Sequence, residues 1–275
     1  MFKNLEIQLL ILVLVPFIIT CSGNSSQQVF VEFSGDDTVD NVIAEIPLKT
    51  SLQHTECAYS VSNNEIKFNY SCDDTDQNGL VDYLYVQIPT LSSAQLELIV
   101  QRNSLENRSV DKTQVFLLAS IDDQYSLSDK EFEFKTDVLI PDDATEKSGY
   151  AHMEGPVWES NKVGYRLYLD KRSRMDIFGK TVEALVLDTV STDYHQIQDW
   201  GADVLKVGTS LGLGAFSAYQ DGKYRVIDNW TSRHFKILQN TPHKSSFELI
   251  WRDWEVFDKT LTVTMKVEVY ADHHY

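Results

Sequence analysis

Four side chains of this sequence, His152, Arg166, Tyr168 and His195, are of the types needed to move protons beside an anion. They fall within residues 149–214, a block that also holds two of the five tryptophans, Trp158 and Trp200. Charged and aromatic residues interleaved on expected strands make a poor core. They suit a cleft that grips something polar and ring-shaped, which points toward carbohydrate. A uronic acid has a weakly acidic proton on the carbon bearing its carboxylate. Removing it needs a cation against the carboxylate, a base, and an acid for the leaving oxygen. In this reading Arg166 or Lys171 neutralises, His152, Tyr168 and His195 exchange protons, and Lys206, Trp158 and Trp200 add contacts to the substrate. Taken singly, each residue also has a structural alternative: Arg166 and Asp170 share a strand face and could pair, and Asp176 could cap a turn.

The elements expected to hold these groups are strands. Residues 164–170 alternate, with Tyr165, Leu167 and Leu169 on one face and Arg166, Tyr168 and Asp170 on the other. Residues 216–226 read as a hairpin turning at Asp221-Gly222. Residues 246–251 and 260–270 add strands, and 198–207 could form a turn or two of helix. Short β-favouring runs at 29–33, 42–47, 83–88, 95–101 and 114–119, bounded by polar turns, predict a small sandwich before the block. The expected fold class is all-β, with a small N-terminal β-sandwich over 29–140 and a larger antiparallel domain over 141–275. The strand at 261–270 is followed by no capping element, which leads us to expect a truncated sheet.

Gly208, Gly212 and Gly214 fit neither GxGxxG nor a P-loop, and no βαβ pattern surrounds them, so close backbone packing is the expected role. No GxSxG or HExxH occurs. The net charge of −17 argues against nucleic acid as a partner. It leaves an acidic oligosaccharide open, because local cations set the potential inside a cleft.

Upstream, Lys3, an apolar run over 9–20 and Cys21 read as a lipoprotein signal over residues 1–20 with a tether over 21–28, Cys21 being lipidated. An ordinary signal peptide is the alternative, and both export the protein, to the periplasm or the outer membrane. Membrane contact is then through the lipid anchor only. In an oxidising compartment Cys57 and Cys72, fifteen positions apart, form a disulfide or remain two core thiols. Asp74, Asp76, Asn78 and Asp82 occupy positions 1, 3, 5 and 9 of a calcium-loop pattern with Gly79 at the turn, but Tyr85 stands where the bidentate Glu belongs. A structural calcium and a plain acidic turn both fit. No cofactor is expected for catalysis.

Three segments, AHMEGPVWES, YRLYLDKRSRMDIFGK and YHQIQDWGADVLKVGTSLGLGAF, resemble an exported family of Bacteroidota known as domain of unknown function 4861. The acidic DTDQNGLVDYLYVQIP segment is similar to its N-terminal part. The resemblance implies a main domain like the supersandwich of galactose mutarotases and several lyases, and a setting beside polysaccharide-degrading enzymes. It also implies, from one branch, dehydration of a terminal uronic acid. His152, Arg166, Tyr168, Lys171, His195 and Lys206 are the positions it nominates, and Met153 stands where a second histidine is expected. Three functions follow: a lyase-type oligosaccharide dehydratase, a non-catalytic surface glycan-binding lipoprotein, or an epimerase or mutarotase on the same fold.

Overall fold

The computed structural model describes residues 26–32, 38–63, 66–91, 95–103, 109–121, 131–144, 149–171, 173–190 and 194–273. Cys21 and the signal and tether readings, apart from residues 26–28, lie outside these residues. The chain divides into two compact units between Val110 and Asp111, and all regular structure among the described residues is strand.

The first unit contains β1 (Ser26–Val31), β2 (Val39–Pro47), β3 (Tyr59–Ser62), β4 (Asn69–Asp73), β5 (Tyr83–Leu91) and β6 (Leu96–Arg102). They form two antiparallel sheets, in orders β1-β6-β3 and β2-β5-β4. Alternate residues of both point into one core: Val29, Leu98 and Val61 from one sheet, Val42, Ile46, Leu84 and Val86 from the other. Cys57 and Cys72 are disulfide-bonded, with Cα atoms 5.7 Å apart, and pack against this core.

The acidic loop before β5 is ordered by its own hydrogen bonds. Asp74 accepts from the amides of Asn78 (3.1 Å) and Gly79 (2.7 Å), Asn78 Oδ1 accepts from the Leu80 amide (2.8 Å), and Asp82 accepts from the Thr75 amide (2.8 Å) and hydroxyl. No group of three or more His, Cys, Asp or Glu side chains converges on a metal position among the described residues, so Asp74, Asp76 and Asp82 do not form a ready carboxylate cage. Asx-type bonding of this kind is the ordinary chemistry of a tight Asp/Asn/Gly turn.

The second unit contains β7 (Thr113–Phe116), β8 (Leu118–Ser120), β9 (Phe132–Phe134), β10 (Asp137–Ile140), β11 (Val157–Ser160), β12 (Val163–Leu167), β13 (Met175–Lys180), β14 (Gly201–Asp203), β15 (Ser217–Gln220), β16 (Lys223–Val226), β17 (Ser232–Asn240), β18 (Lys244–Val256) and β19 (Lys259–Tyr270). A five-stranded sheet, β14-β13-β12-β11-β7, faces a four-stranded sheet, β10-β17-β18-β19. Val115, Trp158 and Leu167 from the first meet Phe235, Phe247, Leu249 and Trp251 from the second in the larger core. The boundary therefore falls earlier than the expected 140/141. The reason is pairing: β7 is an edge of the β11 sheet and β10 is an edge of the β17 sheet, so residues 111–140 belong to the second unit. Residues 198–207 form no helix; they supply β14, whose Ala202 pairs with Gly179.

Candidate functional site

The face of the five-stranded sheet turned away from the sandwich core carries Arg166 and a ring of polar partners. Tyr165 and Leu167 pack toward the core, so strand alternation sends Arg166 to the other side. Register sets Asp176 of β13 directly opposite it. Tyr168, just past the end of β12, returns to the same face.

Arg166 is fully buried. It donates to Asp176 Oδ2 from Nε (3.1 Å) and Nη2 (2.8 Å). Nη1 donates to the Tyr194 hydroxyl (2.9 Å) and lies 2.9 Å from Glu154 Oε2. Nη2 also donates to the Tyr168 hydroxyl and reaches Asp203 Oδ2 at 3.4 Å. The Tyr168 hydroxyl in turn donates to Asp176 (2.8 Å), and that of Tyr194 to Glu154 (3.4 Å). The rings of Tyr168, Tyr194 and Phe178 surround the guanidinium, with centroids 4.4, 4.9 and 5.3 Å from its carbon. At the surface the His195 ring, two-thirds exposed, brings Nδ1 to 3.3 Å from Asp203 Oδ2 and lies tilted against Tyr194, with centroids 4.5 Å apart.

One cation therefore meets three carboxylates, of Glu154, Asp176 and Asp203. Burial works to lower the proton affinity of Arg166, but Tyr194, Tyr168 and Glu154 outweigh it and the guanidinium is held charged. Burial and the neighbouring Asp176 raise the Asp203 pKa, against the Leu205 amide and Arg166. Burial likewise raises the pKa values of Tyr168 and Tyr194. Both phenols are thereby fixed as hydrogen-bonding groups rather than bases.

Local sequence explains how Glu154 joins. Its backbone takes a left-handed conformation, φ 62°, an arrangement rare for a non-glycine residue and often found at functional positions. Bonds from its amide to Ala151 O (3.1 Å) and from the Leu169 amide to its carbonyl (2.9 Å) hold it. Gly155 lets the chain pass β12, because a Cβ there would lie 1.9 Å from Leu167 O.

Beside the Arg166 cluster a second buried pair anchors the segment that covers this face. Lys180 Nζ donates to Glu159, to Ser160 O (2.6 Å) and to Ala184 O (2.9 Å). Glu159 Oε1 accepts from the amides of Val186 (3.1 Å) and Leu187 (2.8 Å). Leu187, Val190 and Tyr194 then pack on Phe116, Val157 and Phe178.

The structure thus brings Arg166, Tyr168 and His195 together and adds Glu154, Asp176, Tyr194 and Asp203. Arg166 is not an open carboxylate receptor, because its donors are already engaged by acids and phenols. It pairs with Asp176, not Asp170, and Asp176 is no turn cap. Trp158 is also reassigned: it lies in the sandwich core, stacked on Tyr165 (5.6 Å) and tilted against Phe247 (5.3 Å), on the opposite side of the sheet. His152 sits edge-on to Phe132 (5.3 Å), with Nδ1 buried without a hydrogen-bond partner and its pKa lowered by burial. Among the described residues its contacts, with Phe132 and the Leu118 carbonyl, lie outside the Arg166 cluster. Trp200 stays half-buried against Phe178 (6.4 Å) and donates to Gln198 Oε1 (3.0 Å). Lys171 and Lys206 are exposed. Asp203 was missed in sequence because a single acid on a three-residue strand carries no periodic signal.

A family model described as Domain of unknown function (DUF4861) matches residues 39–275. A curated relative, "Uncharacterized protein P7" of Formosa agariphila, is 29% identical over 126 residues, covering 38% of this chain and 31% of that protein. The chain thus spans about a third of the length of the relative it matches. No solved structure matches. The chain belongs to the DUF4861 family.

Proposed function

We propose that this DUF4861-family chain acts on acidic oligosaccharides by proton transfer at the exposed side of the Arg166 cluster, eliminating water from a terminal uronic acid. The observation that carries the reading is the contact chain from Arg166 through Asp203, a carboxyl with raised proton affinity, to the exposed ring of His195. It links a buried, fixed charge array to an imidazole on the surface, the side-chain type most often used to give and take protons. The roles differ from those expected of the sequence. Arg166, Asp176 and Tyr168 position. His195 and Asp203 transfer protons, with Glu154 as a second carboxylate at the rim, its side chain 30% exposed. Because Arg166 is already surrounded by acids, the substrate carboxylate is met by exposed cations, of which Lys206 lies three residues beyond Asp203. In the step, a base takes the proton next to the carboxylate and its electron pair forms the carbon–carbon double bond. The neighbouring carbon–oxygen bond breaks, and the oxygen takes a proton from the acid and leaves as water.

A glycan-binding reading without chemistry is favoured by one observation, the complete burial and saturation of Arg166. Incubation with saturated uronate-terminated oligosaccharides, followed by mass spectrometry, separates the two. Loss of one water that disappears in His195→Ala and Asp203→Asn supports the enzyme; binding with no product refutes it. A change of stereochemistry at constant mass would mark an epimerase. Anchoring through Cys21 belongs to the same proposal, and Cys21→Ala is expected to move the protein out of the membrane fraction.

A further inference from the structure

The hairpin β15–β16 takes no part in the Arg166 cluster and, among the described residues, pairs with no other sheet. Tyr219 and Tyr224 are direct cross-strand partners, 62% and 70% exposed, with ring centroids 4.8 Å apart and planes at 43°. Two large rings held side by side in water are uncommon on a surface that has no partner to meet. Each ring carries a hydroxyl, which suits a polar, hydroxylated ligand better than a lipid tail. Strand alternation places Lys223 and Arg225, both exposed, on the other face of the same hairpin. Residues 217–226 carry these two cations against one acid, Asp221, in a chain of net charge −17.

The stem is anchored, so the rings are presented by a fixed base. Ile227 is buried in the sandwich core and Phe216 lies 6.0 Å from Trp251. The preceding loop is bonded to the strand that carries Asp176: the Met175 amide donates to Gly214 O (3.1 Å) and the Leu213 amide to Met175 O (3.0 Å). Gly212 makes that approach possible, with φ +59° and a Cβ position that would lie 2.2 Å from Met175 O.

We propose that Tyr219 and Tyr224 form a stacking platform for an anionic polysaccharide, with Lys223 and Arg225, on the other face of the hairpin, attracting its charges through the local potential rather than by direct contact. The C–H face of a sugar ring packs on the electron-rich face of a phenol, and locally surplus cations attract carboxylate or sulfate groups in spite of the acidic remainder of the chain. The proposal rests on the reading that this chain acts on acidic oligosaccharides, and names a second place where it holds them.

The test is affinity electrophoresis of the full chain in gels containing polygalacturonate, alginate, chondroitin sulfate or dextran. Retardation is expected in at least one acidic polymer and not in dextran. Tyr219→Ala/Tyr224→Ala should weaken it roughly tenfold or more, as truncation of anchor aromatics does. Lys223→Gln/Arg225→Gln should weaken it and flatten its salt dependence. Melting temperature and turnover of short oligosaccharides should be unchanged in both variants, since these side chains are exposed and outside the Arg166 cluster. Retardation that survives the tyrosine substitutions, equals that in dextran, or is absent in every acidic polymer overturns the platform. Tyrosine-dependent retardation without water loss refutes the dehydratase and supports the platform; water loss with tyrosine-independent retardation does the reverse.

Discussion

Replacing Arg166 by methionine should destabilise the second unit strongly and without regard to any substrate. The substitution keeps the volume roughly apolar and removes every donor that faces Asp176, Glu154 and Asp203. Asp176, fully buried, would retain the Tyr168 hydroxyl (2.8 Å) and the Ile177 amide (2.9 Å) but no countercharge. Leaving one partner of a buried ion pair alone typically costs about 3–5 kcal/mol. For a unit of this size each kcal/mol moves the melting temperature by about 2–4 °C, so a fall of roughly 6–20 °C is expected. Arg166→Lys keeps the charge but loses the planar fork, because one ammonium cannot face Asp176, Glu154 and both phenols together. An intermediate loss of about 1–3 kcal/mol follows. Asp176→Leu added to Arg166→Met should recover much of the deficit, since an apolar pair of similar volume is often neutral relative to a buried ion pair. Thermal and urea unfolding of the parent, Arg166→Met, Asp176→Leu and the double variant form a double-mutant cycle. A methionine variant within about 1 kcal/mol of the parent, or a double variant as unstable as the sum of the singles, would refute the assignment of Arg166 as the organising charge.

Asp203 makes stability depend on pH in a defined direction. Its folded pKa is raised, so its contribution is full below the unfolded carboxyl value of about 3.9 and is lost as pH rises through the folded value. Asp203→Asn removes that loss, and the melting temperature of parent minus variant should decline from pH 4 toward neutrality; a flat difference contradicts the raised value. In the first unit, Cys57→Ser/Cys72→Ser should lower stability by about 3 kcal/mol for a loop of this size, seen by calorimetry as an earlier first transition, whereas an unmoved transition would make the bond structurally idle. Chelator should leave the melting of the first unit unchanged, because the Asp74–Asp82 turn is closed by amide donors; a lowered transition would restore the calcium reading.

Much of the architecture was legible because sheets write their faces into the chain with period two. Tyr165, Leu167 and Arg166 separated as alternation demands, and Asp221-Gly222 produced the hairpin turn with both residues at positive φ. Gly212 proved to be a close backbone approach. The site was legible only in part. Arg166, Tyr168 and His195 were found as residue types, but their partners come from positions 154, 176, 194 and 203, on segments whose neighbourhood is set by pairing across the sheet. Trp158 misled for the reverse reason. A tryptophan amid charged neighbours reads as exposed, yet in β11 all four residues are buried: Trp158 faces the sandwich core and Glu159 lies under the covering segment. The unit boundary shifted because β7 and β10 are edge strands whose partners lie far downstream.

The two buried arginines of the second unit show why the partner of a guanidinium matters more than its burial. Arg233 is as deeply buried as Arg166, but it donates to the carbonyls of Leu169 (2.6 Å), Ala144 (3.0 Å) and Pro141 (3.3 Å), and burial pushes its pKa down to about 10. Burial outweighs the attraction of Asp142, Asp170 and Tyr150, and the carbonyl bonds make this arginine a structural tie between backbone segments. Arg166 is over-compensated instead. Burial, joined by the charge of neighbouring Asp176, raises the proton affinity of Asp203, the carboxylate that touches the exposed His195 ring. A core needing only stability would be served by one carboxylate per arginine. Asp203 in addition joins the buried charge to an exposed imidazole, and the proton transfer proposed above gives that arrangement a use.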